Sequence, residues 1–385
     1  MRLPRTAMPA LVAALLAATA GSAGTAHAAR PDGGHPATQE ALERAVAAKD
    51  LPGAGATARR DGRTWHGATG AADLATGRAW TPRDHFRAGS ITKTFTAVVL
   101  LQLQQEGVLD LDDTVERWLP GVVRGHGNDG RRITLRRLLN HTSGLPNYFD
   151  DPALRAQLTG PAFFVHRYDT KTPRDLLRAA LRHPPVFEPG TGWRYSNTNY
   201  TVAGMVIERA TGHSYAEEAT RRVLVPLGLA GTSFPGTTPT LPEPHPVEYA
   251  LGPPGGPLPW DATAMNPSWY GAAGELVTTT GDLNRFYGSL LAGRLLGPAA
   301  MAEMFDGVAT GVPGVDAYGL GVFAHRLPCG VTVWGHDGGT VGGTSDAVGT
   351  PGGRHTLAFH INGDWLLDAD ALTGVADAEF CPAGT

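Results

Sequence analysis

Apolar residues crowd most faces of "ITKTFTAVVLLQLQQEG", residues 91–107, and the run stops at Gly107, a residue suited to cap a helix C-terminus. A helix that is apolar nearly all round belongs in the middle of a domain. Before it, "TQEALERAVAAKD" (38–50) reads as a helix. Residues 53–73 read as two short segments either side of an Asp61-Gly62 hairpin turn. From 110 to 230 the pattern is mainly helical and broken by turns such as "HTSGLPN" and "FEPGTG". A Pro/Gly-rich stretch at 236–268 predicts an irregular connection, and "AAGELVTTTGDLNRFYGSLLAG" (272–293) returns to helix. After about 317, short β-rich segments ("YGLGVFAH", "VTVWGH", "HTLAFHIN") alternate with Gly turns, and a helical stretch closes the chain near 365–377. No internal repeat is visible. The expected fold class is therefore α+β: an antiparallel sheet flanked by helices, built from both ends of the chain, with an all-helical region inserted. In residue ranges, the sheet part takes about 38–100 and 285–385, and the helical region about 101–240.

The first 28 residues break this pattern. Arg2 and Arg5 precede an Ala/Leu-rich run, and Ala26-His27-Ala28 supplies a small-x-small cleavage site, so a secretory signal peptide is expected, with residues 29–385 forming a single domain. The apolar run is short for a membrane span, and no later segment approaches the roughly 20 apolar residues that a span needs. No stable membrane anchor is expected. The chain has 385 residues, 42% hydrophobic and 18% charged, which is a globular composition. Removal of Arg2 and Arg5 takes the net charge from −4 to −6, which argues against a nucleic-acid partner. In an oxidising compartment Cys329 and Cys381 can form one disulfide; the alternative is two free buried thiols. The histidines are scattered without a metal-ligand spacing, and no cofactor is expected. The chain is expected to be a monomer.

Three stretches carry chemistry. The chain has three lysines, Lys49, Lys93 and Lys171, against 29 arginines. Lys93 stands one helical turn after Ser90, at the start of the helix read as buried. A lysine, unlike an arginine, can surrender its proton when desolvated, and a serine hydroxyl needs such a base to act as a nucleophile. The plainer reading is a Ser cap beside a snorkelling Lys. In "RYSNTNY", Tyr195 and Asn197 are two apart and face one side if the lead-in is extended; a phenol can shuttle protons and an amide can hold a carbonyl. The plainer readings are a core aromatic and a helix N-cap. In "WGHDGGTVGG", His336 ends a strand-like run, and Asp337, Gly338 and Gly339 follow. Glycines there let backbone N–H groups approach a ligand, although Asp337-Gly338 also suits a hairpin turn.

In this order the three stretches resemble the penicillin-recognising serine hydrolases. The set is related to the S-x-x-K, S-D-N and K-T-G signature. Tyr in the second stretch and His in the third look like the branch that holds class C β-lactamases, secreted D-alanyl-D-alanine carboxypeptidases, D-aminopeptidases and related esterases. "LLNHTSGLP", "FEPGTGWRYSNTNY" and "YGLGV" are similar to that family too. The resemblance implies a β-lactamase/transpeptidase-like fold and a secreted serine hydrolase, in the first place a D-alanyl-D-alanine carboxypeptidase. The alternatives are an esterase, a D-aminopeptidase, a class C-like β-lactamase, or a non-catalytic penicilloyl receptor. Its substrate would be a small molecule or peptide. The resemblance further implies that Ser90 is acylated and that Lys93 and Tyr195 form a proton-transfer pair. Asn197 would hold the substrate amide, and His336 would support Tyr195. The N–H groups of Ser90 and Gly339 would form an oxyanion hole. Trp269 and Tyr148 are expected to line the pocket. One position departs from the carboxypeptidase pattern: Asp337 stands where a Thr usually helps bind a free carboxylate. "GHSYA" (212–216) nearly matches a nucleophile elbow, but Ser214 and Glu217 are better read as a capping box.

Overall fold

The computed structural model of the chain describes residues 34–251, 259–365 and 369–381. The signal peptide expected at 1–28 lies outside the described residues. Among the described residues, eight strands form one antiparallel sheet. In chain order they are β1 (Gly53–Arg60), β2 (Arg63–Gly70), β3 (Val308–Val312), β4 (Val315–Tyr318), β5 (Phe323–Arg326), β6 (Thr332–Thr340), β7 (Gly343–Gly349) and β8 (His355–Ile361). Across the sheet they run β2-β1-β8-β7-β6-β5-β4-β3. Five helices of twelve residues or more are described: α1 (Pro36–Ala47), α2 (Thr92–Gln105), α3 (Asn197–Thr211), α4 (Thr280–Leu291) and α5 (Ala369–Phe380).

Successive strand residues point to opposite faces, and the core divides accordingly. Ala347 and Ala358 join the cluster that holds α2, α3 and α4; their strand neighbours Val348, Leu357 and Phe359 join the one that holds α1 and α5. Both faces of the sheet are thus covered by helices, and the sequence is mostly small or apolar on both. The hairpin at Asp61-Gly62 is present, and both residues take positive φ (50° and 84°), as a tight turn matched to strand twist requires. α2 is sealed from Thr92 through Leu101, and Gly107 follows it at φ 71°. Burying its Val and Leu side chains stabilises the fold by about 1.5–3 kcal/mol each.

Three expectations need correction. The inserted region is not all helical: within it a two-stranded ladder pairs 124–125 with 128–129, and outside it two more pair 86–87 with 277–278 and 249–250 with 260–261. β7 was invisible to the hydrophobic pattern because its buried residues include Ser345 and Asp346. The Asp337-Gly338 pair is not a turn: β6 continues to Thr340, and positive φ falls instead at Gly342.

Cys329 and Cys381 form a disulfide, with Cα atoms 5.7 Å apart and a sequence separation of 52. It fastens the chain just after α5 to the turn between β5 and β6. Closing a loop of that length removes unfolded-chain entropy worth about 4 kcal/mol. Replacing both cysteines with serine should therefore lower unfolding free energy by about 2–4 kcal/mol in urea titrations. An unchanged midpoint would show that the link constrains little.

Candidate active site

β6 outruns one neighbour. β5 pairs with it only as far as Phe323 opposite Gly335, whereas β7 pairs with it through Thr340. Residues 336–340 therefore keep one open edge, and the turn Gly89–Ile91 lies against it. A Cβ at Gly338 would stand 1.9 Å from the Ala88 carbonyl oxygen and 3.0 Å from the Ser90 nitrogen. A Cβ at Gly89, whose φ is +55°, would stand 2.7 Å from the Gly339 nitrogen. Only glycines allow this approach, which brings the backbones of Ser90 and Gly339 together.

Ser90 sits in that turn, just ahead of α2, and is partly exposed. Lys93, in the first turn of α2, is fully buried beneath it. Its Nζ is 2.9 Å from Ser90 Oγ, 2.7 Å from Asn197 Oδ1 and 2.7 Å from the Ala273 carbonyl oxygen. Burial pushes the amine well below its ordinary pKa, and the charge of Asp337 opposes only part of that. The Tyr195 ring lies 4.7 Å from Lys93 Nζ. Burial raises the Tyr195 phenol well above its ordinary pKa; the charge of Asp337 adds to this, and a hydrogen bond with Ser90 opposes it. The two shifts favour a neutral amine and a neutral phenol on either side of one hydroxyl.

Asn197 opens α3, but the cap position belongs to Ser196, and the Asn197 side chain turns to Lys93 instead. The plain N-cap reading is thereby replaced. His336 is fully buried. Its Nε2 is 2.8 Å from Tyr318 Oη, and its ring centroid is 6.2 Å from that of Tyr195. Asp337 is the exposed member of the group: its side chain keeps 57% of its accessibility, with Oδ1 3.3 Å from His336 Nδ1.

Trp269 and Tyr148 do not line the cleft. Both are fully buried in a third core cluster, where Tyr148 donates to the Trp269 carbonyl at 3.1 Å. They lie behind the pocket wall rather than on its surface, because aromatic bulk is a signal for core as much as for binding. Ser214 forms the expected capping box with Glu217 and stands outside the site.

The sequence reading missed three contributors. The Ala273 carbonyl carries no side-chain signal. Tyr318 and His141 lie in "YGLGV" and "LLNHTSGLP", strings singled out as similar to the family but given no role. Tyr318 holds His336, and His141 packs its ring 4.3 Å from that of Tyr195.

A model of the beta-lactamase family matches residues 38–379. A D-stereospecific amidohydrolase from Streptomyces sp. superposes with a TM-score of 0.85 at 49% identity, covering 91% of this chain and 99% of that one. A D-amino acid amidase from Ochrobactrum anthropi SV3, complexed with L-phenylalanine amide, gives 0.77 at 29% identity, covering 89% and 97%. Penicillin-binding protein 4* from Bacillus subtilis (strain 168) is 32% identical over 173 residues, 44% of this chain and 34% of that protein. The chain thus spans about a third of the length of the curated relatives it matches first. With the match running over nearly the whole described chain, the chain belongs to the beta-lactamase family.

Proposed function

We propose that the chain is a serine hydrolase that cleaves D-amino acid amides and peptides carrying a free D-amino N-terminus, through an acyl-enzyme at Ser90. The observation that carries the reading is the hydrogen bonding of Lys93. A neutral amine has two N–H bonds and one lone pair. Two of the three oxygens around Nζ, on Asn197 and Ala273, can only accept, so they take both N–H bonds. The lone pair is left for the Ser90 hydroxyl proton.

In this mechanism Ser90 Oγ attacks the acyl carbon as its proton passes to Lys93 Nζ. The carbonyl π electrons move onto oxygen, beside the backbone N–H groups of Ser90 and Gly339. When the C–N bond breaks, the Tyr195 phenol gives its proton to the departing amine and recovers one from Lys93. Water then attacks the ester by the same path in reverse, and Ser90 is released with its proton. His336, held by Tyr318, supports the Tyr195 side of the relay.

The substrate class rests on two supports: the similarity to a D-stereospecific amidohydrolase over nearly its whole length, and the Asp337 carboxylate, which disfavours a free carboxylate on the substrate. The reading moves away from the carboxypeptidase that the resemblance first implied. Export of the enzyme, supported by the disulfide, and a monomeric state belong to the same proposal. No helix among the described residues is long and apolar enough to cross a membrane. The test is a panel of D- and L-amino acid amides, a D-alanyl-D-alanine peptide, an ester and a β-lactam. Turnover of D-amides over their L enantiomers is expected. Hydrolysis of the D-alanyl-D-alanine peptide or the β-lactam with none of any D-amide would overturn the reading.

Asp337 gives a second prediction. A carboxylate about 4 Å from another, with one of them well solvated, repels by about 1–2 kcal/mol. That is roughly a five- to thirtyfold preference for a neutral amide over the matching free acid. Asp337→Thr should erase most of it, chiefly through better kcat/KM on the acid. If the wild type already prefers the acid and the change does nothing, Asp337 plays no part in selection.

A further inference from the structure

His141 carries features that a packing role does not need. It is a non-glycine residue at φ 62°, fully buried, in the irregular segment that follows a short helix at Leu135–Leu139. Bulky side chains rarely adopt that backbone conformation. Two groups face its Nδ1. One is the Ser196 backbone nitrogen at 3.2 Å, which can only donate. The other is Asn199 Nδ2 at 3.0 Å. The orientation of Asn199 is set from its other end, where Oδ1 accepts from the Ser143 hydroxyl at 2.6 Å. With two donors aimed at it, Nδ1 carries no proton. The ring is the Nε2–H tautomer, and Nε2 is buried without a hydrogen-bond partner among the described residues.

The backbone of His141 adds a second hold. Its carbonyl accepts from the Arg194 nitrogen at 3.1 Å. Residues 194 and 196 are thus both tied to His141, one to its carbonyl and one to its ring, and Tyr195 lies between them. The same ring contacts the Tyr195 ring at 4.3 Å and the Tyr318 ring at 4.7 Å, with Tyr200 and Trp193 further out. Lys93 and His336 are the charged or titratable groups that act on it besides these tyrosines.

We propose that His141 is a positioning residue for the reaction: as a neutral imidazole that accepts at Nδ1, it clamps both flanks of Tyr195 and orients the start of α3, from which Asn197 reaches Lys93. The inference rests on the acyl-enzyme reading above. A cation at this position would lose the acceptor and set a charge beside Lys93. A phenyl ring would fill the space and leave the Ser196 N–H and the Asn199 amide without a partner. Asparagine would tolerate the positive φ and offer an acceptor.

The test compares His141→Phe, His141→Asn and Asn199→Asp with the wild type. Each is reacted with a fluorophosphonate, whose capture at Ser90 needs no knowledge of the substrate. The Phe variant should lose on the order of 100-fold in the maximal inactivation rate, with apparent binding of the reagent changed by less than about threefold. The Asn variant should recover to within about tenfold of the wild type. Asn199→Asp, which sets a carboxylate against Nδ1, should lose rate as the Phe variant does. Nitrogen-15 spectra of labelled wild-type histidine should show Nδ1 unprotonated at neutral pH and still unprotonated where an ordinary imidazole has begun to take up a proton. A protonated Nδ1, or Phe and Asn variants that lose equally, or an Asn199→Asp variant as fast as the wild type, would overturn the proposal. If the Phe variant does not fold, the spectra and Asn199→Asp still decide. If the wild type cleaves no amide yet these outcomes hold, the substrate reading fails and the role of His141 stands.

Discussion

Ser90→Ala is expected to abolish turnover and covalent capture together while leaving the melting temperature close to that of the wild type. The hydroxyl is small, partly exposed and placed in a turn ahead of α2, so its loss opens no cavity in the core. Its chemical loss is expected to be total, because of the three oxygens hydrogen-bonded to Lys93 Nζ only Ser90 Oγ is a hydroxyl. The other two oxygens at Nζ are carbonyls, which have no proton to give. The fall in kcat should be on the order of 10⁴-fold or more, since removing one member of a coupled set costs nearly as much as removing all of it. Mass spectrometry of wild type and variant after a fluorophosphonate or a slowly released acyl donor makes the comparison direct. Stoichiometric labelling of the alanine variant would remove Ser90 from the mechanism. Ser214, the other serine with a motif-like setting, should stay unlabelled, because its hydroxyl is engaged with Glu217 in a capping box.

The parts of the fold visible in the sequence are those where one side chain type had one physical use. α2 was legible because an apolar run of that length, with a single Lys in its first turn, suits a buried helix and little else. The β1–β2 hairpin was legible because Asp-Gly takes positive φ at low cost. What stayed hidden depended on tertiary neighbours. β7 buries Ser345, which bonds His360, and Asp346, which lies across from Asp337; no hydrophobic count could reveal it. Asp337-Gly338 looked like a turn because its residue types suit one. The demand for glycine there comes instead from the Ala88 carbonyl pressed against the strand. Ser90, Lys93, Tyr195, Asn197 and His336 come together around the open edge of β6; spacing suggested only the Ser90–Lys93 and Tyr195–Asn197 pairings, and the family resemblance implied the rest. Their supports, Ala273, Tyr318 and His141, act through a carbonyl, a second contact and a tautomer, none of which a linear motif spells out.

Lys93→Arg is expected to cost about as much activity as Lys93→Ala, on the order of 10³-fold each in kcat/KM. If the site needed only a positive charge, arginine would supply it permanently. The burial of Nζ, which lowers its pKa, points the other way: in the proposed mechanism the amine works neutral, takes the Ser90 proton and passes it on. The sign of the pH dependence follows. Burial lowers the Lys93 pKa, so the free base predominates above that lowered value, and kcat/KM falls as pH drops through it. Stability carries the same signature. The unfolded chain holds this proton up to its ordinary value of 10.5, while the folded chain has already lost it, so the unfolded state binds more protons across that window. Lys93 therefore opposes folding at neutral pH, and its cost shrinks as pH rises toward 10.5. Against Lys93→Met, the wild type should gain relative stability with pH over that range. The arginine variant, which cannot neutralise itself, should gain none. Rates must be compared per folded molecule, because a permanent buried guanidinium also destabilises. An arginine enzyme that keeps most of the wild-type rate, with no loss at lower pH, would mean that charge alone was required at position 93.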